Sequence, residues 1–149
     1  MNIHFLKSSQ KKELVKQLDK QFGIAELPYL LIASGKEKLR AFSGHLSKDE
    51  IRELSNMLNI ELIGLYLIKQ EQDLRLSLDA TILLKKQINK NIINLTDSQV
   101  YEWLRGHDLD IKIPQGTLVI QHNDDFLGCG KSNGEKLFNY LPKDRRLRK

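Results

Sequence analysis

The sequence predicts an α+β protein: a small N-terminal α+β domain followed by a β pseudobarrel. Three observations carry this. The first half alternates helical stripes with short apolar runs. The second half opens with β-type alternation, holds one helix, and closes on strands separated by turn residues. Between them lies a polar stretch, Gln70-Glu-Gln-Asp73, which sets the expected domains at residues 1–70 and 71–149.

Taken in order, Ser8 and Ser9 are placed to cap a first helix running to Phe22. Leu14, Leu18 and Phe22 recur at four-residue spacing, with Val15 beside them, and make one buried stripe. Gly23 is its stop. Leu27 to Ser34 reads as a strand with Pro28 near its start, because proline has no ladder donor to offer. Gly35 and Lys36 turn the chain into a returning strand, Lys38 to Ser43. Ser47-Lys-Asp-Glu50 is a capping box, and Ile51, Leu54 and Leu58 form the stripe of the helix it opens. Ile60 to Lys69 is nearly continuous apolar sequence, expected as a central strand.

In the second half, Leu74-Arg-Leu-Ser-Leu-Asp79 alternates like a half-buried strand, and Ala80 to Leu84 continues the apolar run. A polar loop, Lys85 to Asn91, leads to a short strand over Asn91 to Leu95. Thr96-Asp-Ser-Gln99 is a second capping box, opening a helix with Val100, Trp103 and Leu104 inward and Gly106 as its stop. Strands follow over Thr117 to Gln121, Phe126 to Lys131 and Glu135 to Leu141. Asn123-Asp124 turns the first pair, and Asn133-Gly134, expected as a type I′ turn, the second. This many short strands favours a closed or partly closed barrel, since closure removes unpaired edges.

Composition narrows the class. Hydrophobic residues at 40% and charged residues at 29% are an ordinary globular balance. A single cysteine excludes an internal disulfide and a cysteine-based zinc cage. The N-terminus lacks the pattern of a secretory signal, and the longest apolar stretch, Ile60 to Ile68, is too short to span a bilayer. A cytoplasmic protein without a membrane partner is expected. Charge is more telling. The net charge is +5, and Lys131 to Lys149 holds seven basic and two acidic residues. The whole surplus therefore sits in that last segment, as expected for a polyanion partner, the alternative being a solvated tail that keeps the protein soluble.

No motif points to chemistry. Gly128-Cys-Gly130-Lys131-Ser132 fails as a phosphate loop because Asp125 stands where the first glycine is needed. It fails as a dinucleotide fingerprint because Asn133 occupies the third glycine position. Two glycines in a strand instead permit a bulge or a close approach of another backbone. Cys129 reads as packing, and His4, His45, His107 and His122 are too scattered to suggest a metal site. Asp124 and Asp125 serve their turn, and no acid–base pair stands out. Lys12, Lys16 and Lys20 form a ridge on the first helix, expected as a solvated face, with a second nucleic-acid contact as the alternative. No catalytic residue, cofactor or metal is expected.

The final segment interleaves cations with stacking and amide groups: Lys136, Phe138, Asn139, Tyr140, Lys143, Arg145 and Arg146. Strand alternation puts Lys136, Phe138 and Tyr140 on one face and Leu137, Asn139 and Leu141 on the other.

Four separated runs then share an order: Trp103-Leu-Arg-Gly106, Gly116-Thr-Leu-Val-Ile, Phe126-Leu-Gly-Cys-Gly-Lys131 and Leu137-Phe-Asn-Tyr-Leu-Pro-Lys-Asp-Arg-Arg146. Over about residues 72–149 they resemble the C-terminal PUA-type RNA-binding domain of the Fmu/Sun-type RNA cytosine-5 methyltransferases. Phe138 departs from that pattern, where the family often has lysine. Residues 1–70 resemble the small pre-PUA domain of stand-alone ribosome-biogenesis proteins. The catalytic part of those enzymes needs a Rossmann-type S-adenosylmethionine domain and two cysteines, neither of which this sequence contains. The resemblance thus implies a PUA-like pseudobarrel and binding of structured RNA, ribosomal or transfer RNA, in ribosome biogenesis, rRNA processing or RNA modification. It implies no catalysis of its own and no DNA partner. Lys131, Lys136, Lys143, Arg145 and Arg146 would meet phosphates, with Arg105 beside Gly106 at the helix end; Asn139 and Tyr140 would meet bases or sugars. The alternative is a protein–protein adaptor docking on an RNA methyltransferase or ribosome assembly factor. An exposed apolar patch on residues 1–70 would favour it.

Overall fold

A computed structural model of the protein describes residues 4–34, 37–42, 47–57 and 64–148. Helices and strands combine in an α+β arrangement around two five-stranded sheets. The first sheet is antiparallel, in the order β1 (His4–Phe5), β2 (Leu30–Ser34), β3 (Lys38–Phe42), β4 (Leu65–Gln70) and β5 (Leu74–Leu76). Helices α1 (Ser8–Phe22) and α2 (Lys48–Met57) interrupt it in sequence. After α3 (Leu78–Leu83) come β6 (Ile92–Asn94), α4 (Asp97–Leu104), β7 (Leu109–Asp110), β8 (Gly116–His122), β9 (Asp125–Ser132) and β10 (Lys136–Asn139). These strands form the second sheet, ordered β6-β8-β9-β10-β7, which curls into a half-barrel. Among the described residues, β6 and β8 alone pair in parallel.

Both capping boxes form. Glu50 N donates to Ser47 Oγ at 3.2 Å, and Thr96 N donates to Gln99 Oε1 at 2.9 Å. The start of α1 differs from expectation. Lys7, not a serine, is the N-cap, and its backbone N–H donates to the Gln10 side chain at 2.9 Å. The expected strand over Leu74–Asp79 breaks after Leu76. Ser77 Oγ donates to Tyr66 O at 2.8 Å and accepts from Ala80 N at 3.0 Å, which starts α3 and turns the following apolar run helical. The Gly35–Lys36 turn, His45, Leu58 and the 60–63 start of the central strand lie outside the described residues, as does the side chain of Leu54.

The main core crosses between the sheets. Leu14, Leu18 and Phe22 of α1 share it with Ile68 of β4, Leu74 of β5 and Val119, Phe126 and Cys129 of the second sheet. Strand β5, expected in the second domain, hydrogen-bonds to β4 in the first sheet. A smaller core gathers Leu95, Leu109, Ile120 and Leu137 around Trp103, whose indole N–H donates to Leu127 O at 3.3 Å. Gly130 makes room for that ring: a Cβ there would lie 2.7 Å from Trp103 Cη2 and 2.8 Å from Leu137 Cδ1. Backbone approaches closely as well: the same Cβ would lie 3.0 Å from Phe138 O, and one at Gly128 would lie 3.5 Å from Leu78 Cα.

Candidate nucleic-acid interface

The residues singled out in the sequence fall into three groups. The first lies on the outer face of the second sheet. Lys131 of β9 stands directly opposite Phe138 of β10, both exposed, while Leu137 between Lys136 and Phe138 is buried. The expected alternation holds here. Lys136 Nζ lies 3.7 Å from Asp110 Oδ1 on β7, and Lys131 has no ion pair among the described residues. Lys143, in a single 3-10 turn over Lys143–Arg145, is also exposed and free of ion pairs among those residues.

The second group is structural. Asn139 does not present its amide outward. Its Nδ2 donates to Trp103 O at 2.7 Å and His107 O at 3.0 Å, and its Oδ1 accepts from Leu141 N at 2.8 Å. The carbonyls at the end of α4 need donors, and Asn139 supplies them. The amide expected as a base or sugar contact is thus engaged within the fold. Arg146 straps the same end. Its Nε donates to Leu141 O at 3.0 Å, and it lies so close to Gly106 that a Cβ there would meet Arg146 Cδ and Nε at 2.4 Å. Leu147 N closes the strap on Leu104 O at 2.7 Å. Arg105 sits over the Tyr101 ring at 5.4 Å, with Glu102 at 4.0 Å.

The third group faces a cleft of about 240 Å³ between the two sheets. Arg145 enters it paired to Asp79, Nη1 to Oδ1 at 3.1 Å. The Tyr140 ring carries the Arg75 guanidinium at 3.8 Å from its centre. Lys38, Tyr66 and Lys69 of the first sheet also line it. Burial pushes the Tyr66 hydroxyl up, against the lowering influence of Arg75, so it stays neutral. Sequence reasoning missed these first-sheet residues. Their charges cancel in the count over residues 1–130, and only strand register brings them together.

The remaining ionisable groups are accounted for locally. Cys129 is buried, and burial pushes its thiol up to about 12, which leaves it uncharged. Two histidines have partners that the sequence did not reveal: His107 Nδ1 with Glu102 Oε2, and His122 Nε2 with Asp97 Oδ1 at 2.8 Å. Among the described residues no three of histidine, cysteine, aspartate and glutamate gather as a metal site, and no helix is long and apolar enough to cross a membrane.

Residues 90–147 match the family described as the methyltransferase RsmF PUA domain. The chain is 29% identical to the ribosomal RNA small subunit methyltransferase F of Shewanella piezotolerans (strain WP3 / JCM 13877), over 96% of this chain and 30% of that protein. It therefore spans about a third of that relative's length. In fold it is similar to a conserved PUA domain protein from Thermoplasma acidophilum, with a TM-score of 0.60, 14% identity and 93% of each chain covered. Motif order and family match agree over residues 90–147, which are similar in sequence to the PUA domain of methyltransferase RsmF, and the chain's fold is similar to that of a PUA domain protein.

Proposed function

We propose that this chain binds structured RNA, ribosomal RNA before transfer RNA, in the cytoplasm, and that it performs no chemistry itself. It would serve ribosome assembly or RNA modification, with residues 71–149 as the RNA-binding domain and 1–70 as a pre-PUA-like companion. The observation that carries this reading is the exposed Lys131, Lys136 and Phe138 face joined to the cationic C-terminal segment, on a domain of PUA type. Lysines neutralise phosphates, and an exposed ring stacks on unpaired bases. Ribosomal RNA is preferred because the methyltransferase relative is named for it. The adaptor reading asked for an apolar patch on residues 1–70. Among the described residues there, Leu65 is the large exposed hydrophobic side chain, and it stands alone.

The test is a salt titration of RNA binding. Contact with about three to five phosphates of unpaired RNA gives a slope of log affinity on log salt of about −2 to −3.5. The informative variant is Lys131→Gln with Lys143→Gln, because neither lysine has an ion pair to lose. It should flatten the slope by about 1.4. Arg145 and Arg146 are poorer probes, since one is tied to Asp79 and the other straps α4. Binding indifferent to salt and to both lysines would refute the reading.

A further inference from the structure

The register of the first sheet sets Lys38 of β3 directly opposite Lys69 of β4, and Lys69 directly opposite Arg75 of β5. Three cations thus stand in a row across neighbouring strands. Their sequence neighbours Leu39, Ile68, Leu74 and Leu76 are buried in the main core, so the row faces the other way, into the cleft. Directly opposed like charges destabilise a sheet. Here the compensation is partial. Arg75 has Glu71 at 3.1 Å, and Lys38 lies over the Tyr66 ring at 5.3 Å. Lys69 has no ion pair among the described residues. A sheet that keeps such a row open to a cleft is set up for an anion.

The opposite wall narrows the class of anion. It brings Tyr140, stacked on Arg75, and Arg145, whose charge Asp79 already meets. The unmet charge is therefore on the lysines, beside two aromatic rings. At about 240 Å³ the cleft is smaller than the pockets that hold whole drug-sized ligands, from about 300 Å³ upward, and a duplex does not enter it. A phosphate next to a flat, stackable group is the chemistry of a nucleotide.

We propose that this cleft seats one unpaired nucleotide of a bound RNA strand, its phosphate on Lys38 and Lys69 and its base against the tyrosine-lined wall. The inference rests on the RNA-binding reading and extends it: the first sheet, whose cations are hidden in the neutral count over residues 1–130, supplies part of the RNA site. Stacking tolerates any base, so affinity rather than sequence preference is the expected contribution.

The experiment uses the full chain with fluorescein-labelled dodecauridylate, and uridine monophosphate as the free-nucleotide arm. Lys38→Gln with Lys69→Gln should weaken dodecauridylate binding at least about fivefold and flatten the salt slope by about 1.4, two phosphate contacts' worth. Its melting temperature should hold or rise, because the variant relieves the row. Lys69→Arg alone should retain binding. Lysine acetylation read by mass spectrometry should show Lys69 protected by dodecauridylate. If the cleft variant binds as the parent does while Lys131→Gln with Lys143→Gln binds weakly, the cleft inference fails and the RNA reading stands. If the parent binds no RNA yet uridine monophosphate protects Lys69, the cleft takes a free nucleotide and the RNA reading fails. An unprotected Lys69 in both arms overturns the nucleotide site outright.

Discussion

Trp103 and Asn139 show what a single residue reveals in sequence and what it conceals. Trp103 was legible: its spacing from Val100 puts it on the inner face of α4, and it is fully buried there. Gly130, its seat, was legible only as an oddity in a strand, because the ring that fills the space comes from 27 positions earlier in the chain. Gly130→Ala should therefore overpack the smaller core and cost about 1–3 kcal/mol. Thermal melting followed by tryptophan fluorescence checks it, with a fall of about 2–4 °C expected per kcal/mol at this chain length. An unchanged melting temperature would mean that Trp103 and Leu137 yield freely. The partners of Asn139 were hidden for a similar reason. A polar side chain in a cationic segment suggests recognition, yet its partners Trp103 O and His107 O are more than 30 positions away.

At the scale of the element, the β9–β10 hairpin corrects the expected turn. Ser132 pairs with Leu137, and three residues, Asn133, Gly134 and Glu135, connect the strands rather than two. Asn133 does not take positive φ; Gly134 does, at 100°. The asparagine works through its side chain, with Oδ1 accepting from Glu135 N at 3.0 Å and Lys136 N at 2.8 Å. Asn-Gly marked the reversal correctly, but the dipeptide is compatible with two turn geometries, and the paired strands chose between them. A Cβ at Gly134 meets nothing within 4 Å, so Gly134→Val isolates backbone strain, about 1–3 kcal/mol. Lys136→Ala should change stability by less than about 0.5 kcal/mol, since its ion pair is exposed. Paired chemical denaturation curves separate the two. The end of α4 makes a pH prediction. The hydrogen bond from His107 holds the Glu102 carboxyl below its ordinary value of 4.5. A depressed folded-state value means this support is complete above about pH 4.5 and is lost as pH falls through the lower folded value. The protection factors of the Arg105 and Gly106 amides, exchange divided by its intrinsic rate at each pH, should fall in that range; factors that are flat with pH would show that the contact does not hold the helix end.

For the whole molecule, the α+β class and the order of most helices and strands were legible, because stripes, capping boxes and turn residues are local signals. Strand order and register were not, and the cleft depends on register alone. Strands β1 and β7, two residues each, are too short to display any period. The placement of β5 was hidden as well, since its alternation fits either sheet. The buried residues shared by α1, β4, β5, β8 and β9 lead to one expectation for the molecule as a whole. Unfolding should be a single transition, with circular dichroism and tryptophan fluorescence coincident, although Trp103 belongs to the smaller core. Two separated transitions would mean that the sheets come apart independently. The shared core has a mechanical consequence too. The cleft walls are fastened to one packed interior, so the gap between them behaves as a slot of fixed aperture and not as a jaw. Close-packed interiors resist dilation. What fits the slot is thus decided by its width before any contact forms, and a strand must thread a nucleotide into it edge-on instead of waiting for the protein to close around it.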